Sequence, residues 1–222
     1  MMDNFYGEQN RNFQDEFGTR KMADLLKEVI FNTEFDEDNK TFIEGLSSFF
    51  LTTIDHQGRP TVSHKGGDTG YIKIINKDTL IFPSYNGNGM YLSMGNLNAN
   101  PQVGLLFMSF ETPRRVRMQG MATASRDLAL LALYKEADLV VSVKLTELWI
   151  NCPRYVPKYE RVRESRYTPR PFIETPLAGW KQIDGVETVL GEDDLAKKKN
   201  GALCSITVDE WMGKVRAGDS TA

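Results

Sequence analysis

The chain has 222 residues, 41% of them hydrophobic and 26% charged, which suits one large globular domain, with or without appendages, and excludes a wholly disordered chain. A net charge of −3 offers no global attraction for nucleic acid or for an anionic membrane surface. No run of about 18 apolar residues is present to span a bilayer, and the opening residues MMDNFYGEQN lack the apolar segment of a secretory signal, so a cytoplasmic location is expected.

In chain order, the first 18 residues are polar, with Phe5, Tyr6, Phe13 and Phe17 scattered among amides and acids; such a segment is disordered unless its aromatics dock elsewhere. Residues 19–31 read as a helix, since Met22, Leu25, Leu26, Val29 and Ile30 recur at helical spacing. A second short helix is predicted over 40–48. The pattern then turns to β: strands are predicted over 49–54, 59–64, 71–75, 79–82, 103–110, 116–124 and 139–150, with Asp55–Gly58 and Asn76–Asp78 as turns. Two helices interrupt them, one over 88–98, stopped at Asn100-Pro101, and one over 128–137, capped by Asp127. Six or seven strands at this spacing favour an antiparallel barrel or sandwich over a parallel α/β sheet. Prolines at 153, 157, 169, 171 and 176 prevent regular structure after Ile150, and a last helix is predicted over 208–215.

The metal and hydrolase readings fail early. His56 and His64 have no metal-ligand spacing to Cys152 and Cys204, no metal site is expected, and a disulfide between the cysteines is neither required nor excluded. His56 sits in a turn and reads as a solvated loop residue, and no G-x-S-x-G elbow is present.

Three segments could meet an anion. Gly87-Asn88-Gly89 follows a strand and precedes a helix; it lacks the third glycine of a dinucleotide fingerprint, yet a helix start there would offer free N–H groups. A plain glycine turn explains it equally well. Ser63-His64-Lys65-Gly66-Gly67 places a cation where two glycines let a ligand approach the backbone, although an edge-strand lysine reads the same way. Arg114, Arg115 and Arg117 open a strand, with Arg115 and Arg117 on one face and Arg114 on the other; a solvated sheet face is the plainer account. Residues 154–170 interleave Arg154, Lys158, Arg161, Arg163, Arg166 and Arg170 with three tyrosines, a pattern that can grip single-stranded nucleic acid, but Glu160 and Glu164 dilute it. Lys197-Lys198-Lys199 reads as surface charge.

The run Phe49-Phe50-Leu51-Thr52-Thr53-Ile54-Asp55-x-x-Gly58-x-Pro60 resembles the opening hairpin of the pyridoxamine 5'-phosphate oxidase-like split barrels. Leu80-Ile81-Phe82-Pro83-Ser84, Asn100-Pro101-x-Val103-Gly104 and Arg114-Arg115-Val116-x-x-x-Gly120 continue the likeness in the same order and spacing. Further motifs, Asn86-Gly87-Asn88-Gly89-Met90, Asn151-Cys152-Pro153-Arg154-Tyr155 and Thr175-Pro176-Leu177-x-x-Trp180, resemble a subgroup of FMN-binding relatives distinct from the vitamin B6 oxidase.

The resemblance implies an α+β, mainly β fold: an antiparallel six-stranded split β-barrel with flanking helices. It spans residues 41–150, between a polar arm and helix at 1–40 and a proline-rich extension with a terminal helix at 151–222. It also implies a homodimer holding FMN at its interface. By position, Ser63, His64, Lys65 and Gly66 would line the flavin, followed by Pro83 and Ser84. Ser93 and Asn96 would lie on the phosphate-contacting helix beside Asn88, and Arg115 on a flavin-contacting strand. The oxidase's own arginine at position 63 and its Arg-Lys pair near Ser93 are missing here, so Lys65, Arg114, Arg115 and Arg154 are the candidates for meeting phosphate charge. No side chain is assigned a catalytic role, because flavin carries the redox chemistry. An FMN-dependent oxidoreductase acting on a small molecule is therefore expected, with no nucleic acid or membrane partner. A flavin-binding or sensing protein without turnover is the alternative, and a single-stranded nucleic-acid binder the third reading.

Overall fold

A computed structural model describes residues 5–200 and 205–222, so Cys204 lies outside the described residues. Helices α1 (Glu8–Glu16), α2 (Arg20–Ile30) and α3 (Glu37–Glu44) and the two-residue strand β1 (Phe31–Asn32) precede the main sheet. Strands β2 (Ser48–Ile54), β3 (Pro60–Gly66), β4 (Lys73–Asn76) and β5 (Thr79–Tyr85) lead to helix α4 (Leu92–Ala99). Then come β6 (Gln102–Ser109), β7 (Arg114–Ser125), the single turn α5 (Leu128–Leu131) and β8 (Ala137–Asn151). Helices α6 (Glu192–Asn200) and α7 (Val208–Arg216) lie in the extension.

Every strand pairing is antiparallel, in the order β3-β2-β6-β7-β8-β5-β4, with β1 added on β8. This is the split-barrel class expected from the sequence, but the sheet has eight strands, not six. The difference lies in β8. Of its 15 residues, Val140–Asn151 pair along one edge with β7, while the other edge serves β5 through Ala137–Lys144 and β1 through Leu148 and Trp149. Alternate residues of β2, β6 and β7 point inward, and Phe49, Leu51, Leu105, Phe107, Val116 and Met118 form one core with Phe82, Val141 and Leu148. Where β7 crosses β8 the register shifts at Gly120, and a Cβ there would lie 2.6 Å from the Lys144 carbonyl oxygen, so only glycine fits the crossing.

Several predicted boundaries move for local reasons. The helix predicted over 88–98 starts only at Leu92, because Asn88 Oδ1 accepts a bond from the Met90 N–H and holds 86–91 as a loop. The helix over 128–137 is one turn long; Asp127 caps it, but Glu136 adopts a positive φ of 56° and turns the chain into β8. The helix predicted over 40–48 shifts to Glu37–Glu44, since Asp36 accepts from the Asn39 N–H at 2.7 Å and so sets its start. Tyr71 and Ile72 are buried but precede β4. The amino-terminal segment is not a bare polar arm. It forms α1, and Phe5 packs edge-on against Phe31 and Trp149. Helix α2 does form, but it has no buried residue, and Met22, Leu25 and Val29 are more than half exposed.

Asp55 closes the β2–β3 hairpin. Its carboxylate accepts bonds from the Gln57 and Arg59 N–H groups at 2.9 Å each and from Arg59 Nε at 2.8 Å. The Arg59 side chain first, then these backbone donors, hold the carboxyl down at about 2, against an ordinary value of 3.8. A depressed carboxyl contributes stability above its unfolded value and loses it as pH falls through the folded one. Asp55→Asn is therefore expected to melt below the native chain near neutral pH. The gap should close between about pH 4 and pH 2, as followed by paired thermal melts.

Candidate functional site

Sheet alternation sends successive residues of the edge strand β3 to opposite sides. Ser63 stands opposite the buried Leu51, and His64 opposite Phe50 on the outer face. Ser63 and Lys65 thus turn towards the loop that joins β5 to α4, and a cleft of about 290 Å³ opens there, lined also by Ser84, Tyr85, Asn88 and Ser93. Ser63 Oγ and Ser93 Oγ lie 3.2 Å apart, and Lys65 Nζ donates to Ser93 Oγ at 3.4 Å. The lysine's own carbonyl accepts from the Tyr71 hydroxyl at 3.0 Å, which fixes the backbone beneath it.

The electrostatics of this cleft are one-sided. Among the described residues Lys65 is its only charged lining residue, and no carboxylate is among them. Within the described residues Lys65 has no ion pair, and burial lowers its pKa. Helix α4 opens on the cleft through Tyr91, which has a φ of 45° and offers no side-chain cap, so the first N–H groups of the helix face the loop without a capping side chain. Burial, reinforced by the Asp68 charge, pushes the Tyr85 hydroxyl up to about 12, so it stays a neutral donor near pH 7. A cation, several hydroxyls and an amide around a helix start form a donor set for an anion such as a phosphate ester.

A second cavity, about 660 Å³, opens on the outer face of the same sheet, between Phe50, Thr52, Val62, Leu106, Arg115 and Arg117. Arg117 lies over the Trp149 ring at 5.2 Å. Arg115 Nε is sealed from solvent without an acceptor. Such an orphaned donor calls for a partner outside the chain's own described atoms.

The structure therefore gathers Ser63, Lys65, Ser84, Asn88 and Ser93 in one cleft and puts Arg115 in another. Asn96 is buried and donates to Thr53 Oγ1 at 3.0 Å and Thr61 Oγ1 at 3.2 Å, pinning α4 to the β2–β3 hairpin. Pro83 is buried in β5, Gly66 ends β3 beside the His64 ring, and His64 sits edge-on to Phe50 on the outer face. Arg114 binds Asp38 at 2.6 Å and lies over Phe42, so it is already neutralised. Arg154 stands in the extension beside Tyr155 and lines neither cavity. In the basic segment, Arg161 pairs with Glu111 and Glu164, and Arg170 with Asp68. Tyr85 and Tyr91 are cleft residues that sequence reasoning missed, as are the apolar Leu92 and Met94. Nothing in an aromatic beside a helix start announces a positive φ.

Residues 35–143 match the model of the family described as pyridoxamine 5'-phosphate oxidase, a span that contains every residue lining the 290 Å³ cleft. Over these residues the chain matches the pyridoxamine 5'-phosphate oxidase-like split-barrel family. The family match ends within β8, so the extension from residue 152 onward lies outside it. No curated protein matches the sequence. Solved structures with some similarity include HupZ of Group A Streptococcus, at 13% identity, covering 57% of this chain and 99% of that one with a TM-score of 0.43. A putative pyridoxamine 5'-phosphate oxidase from Lactobacillus delbrueckii gives 19%, 53%, 95% and 0.44 on the same measures. An FMN-binding protein from Syntrophomonas wolfei gives 11%, 63%, 97% and 0.41. Among the described residues no helix is long and apolar enough to cross a membrane.

Proposed function

We propose that this chain binds FMN, with the phosphate end in the cleft between β3 and α4, and works as an oxidoreductase on a small molecule. The observation that carries the reading is the partly buried Lys65 ammonium beside an uncapped helix start, with no ion pair and no carboxylate in the cleft among the described residues. Bound FMN would supply the electron-transfer chemistry. This chain's residues would bind and orient it: Lys65 and the α4 N–H groups would meet the phosphate charge, while Ser63, Ser84, Asn88 and Ser93 would offer hydrogen bonds.

At about 290 Å³ the cleft falls just below the roughly 300–1,000 Å³ typical of small-molecule sites, so the flavin ring needs a further wall. The outer-face cavity offers one if two copies pair about a twofold axis, each lending the Arg115 side of its sheet to the other's cleft. Titration with FMN should then quench flavin fluorescence with one FMN per subunit, on a species that light scattering reports as a dimer. A preparation that leaves flavin fluorescence untouched would end the proposal, and a monomer with FMN bound would remove its dimeric part. Anaerobic mixing with reduced nicotinamides then separates an oxidoreductase, whose flavin bleaches, from a binding protein, whose flavin does not.

A further inference from the structure

On the far side of the Asn86–Met90 loop lies a cavity of about 820 Å³, walled by the barrel and by the extension that follows β8. It shares Tyr85, Gly87 and Asn88 with the 290 Å³ cleft, so the two spaces are neighbours across one loop. Trp180, Tyr167, Pro176 and Leu177 of the extension give it aromatic and apolar walls. The wall is anchored to the loop. Lys181, nearly fully buried, donates to Asn86 Oδ1 at 2.5 Å and to Asp194 Oδ2 at 2.6 Å.

The charge balance is opposite to that of the flavin cleft. Four carboxylates, those of Glu136, Asp138, Asp193 and Asp194, line the cavity against two ammonium groups, those of Lys181 and Lys197. Lys181 pairs with Asp194 and Lys197 with Glu136, which leaves Asp138 and Asp193 without a basic partner among the described residues. Asp138 is held in place by the Tyr91 hydroxyl, which donates to it at 3.1 Å from the residue that leads into α4.

We infer that this cavity is a second small-molecule site that takes an organic cation, an amine carried on an apolar or aromatic body, beside the flavin cleft; this rests on the reading that FMN fills that cleft. Aromatic walls bury the body of such a molecule, and Asp138 and Asp193 meet its ammonium. The same carboxylates repel phosphate-bearing molecules, so the site selects against an anionic substrate.

The test uses the full chain with phenethylamine and its anionic counterpart 3-phenylpropionate, each titrated while tryptophan emission is followed. Phenethylamine should shift the emission saturably, and Trp180→Phe should remove the shift. Asp138→Asn and Asp193→Asn should each weaken phenethylamine by about tenfold or more, with 3-phenylpropionate the weaker ligand of the native chain. FMN titration of the same samples keeps the two readings apart. FMN binding without saturable amine binding overturns this inference alone. Amine binding without FMN binding upholds the cation site and overturns the flavin reading. Equal affinity for the two probes, amine binding indifferent to both aspartates, or a shift that survives Trp180→Phe overturns the inference.

Discussion

Replacing Lys181 with Met is expected to destabilise the protein by about 3–5 kcal/mol, the usual cost of removing one partner from a buried ion pair. The lysine side chain is 6% exposed and that of Asp194 15%, with 2.6 Å between their charged atoms. Methionine fills the aliphatic space but leaves the Asp194 carboxylate and the Asn86 amide oxygen without their donor. In a chain of this length the loss should lower the melting temperature by roughly 6–20 °C. Pairing Lys181→Met with Asp194→Leu should restore most of it, since an apolar pair of similar volume is often as stable as the ions it replaces. A double variant as unstable as the single one would show that the lost bond to Asn86, not the stranded Asp194 charge, accounts for the loss.

Lys65→Met is expected to act on ligand binding instead of folding. The ammonium is partly desolvated and has no carboxylate to compensate it, so removing the charge should leave the apoprotein at least as stable, within about 0.5 kcal/mol or better. If the lysine meets the FMN phosphate, the variant loses a hydrogen bond to a charged group. Affinity should then fall by about 1.5–3 kcal/mol, roughly ten- to a hundredfold. The combination distinguishes a binding cation from a structural one, which would lower the melting temperature and leave FMN affinity unchanged. Arg114→Met makes the control. Its guanidinium is already engaged by Asp38, so FMN affinity should not follow its removal.

Much of the architecture was legible because period-two alternation is strong in β2, β6 and β7, whose inward residues form the core. Of the cation and glycine pattern at Ser63–Gly67, Ser63 and Lys65 line one cleft with the glycine loop before α4, whereas His64, Gly66 and Gly67 do not. What sequence could not display were pairings made at long range. Lys198 reads as one of three surface lysines, yet it is buried against Glu187 at 2.8 Å, because α6 folds back on the segment before it. Arg114 reads as a free cation until α3 supplies Asp38. Asn96 reads as a ligand donor until the hairpin threonines appear beside it. In each case the residue type announces a polar partner, and only the tertiary fold says which one.

The strand β8 also orders events in time. The hairpin β2–β3 can zip as soon as it leaves the ribosome, because its partners are adjacent in the chain. Strand β5 zips with its neighbour β4 in the same way, but its other edge, like the short β1, adds to β8, which is synthesised last of the described strands. Until then the β4–β5 hairpin and the aromatic cluster of Phe5 and Phe31 have no sheet edge or Trp149 to settle on. The loop between β5 and α4 hangs at one end from that late-docking hairpin and at the other from α4, which Asn96 pins to β2–β3, so a chain stalled before residue 137 would hold Lys65 beside Ser93 but lack the docked Ser84 side of the cleft.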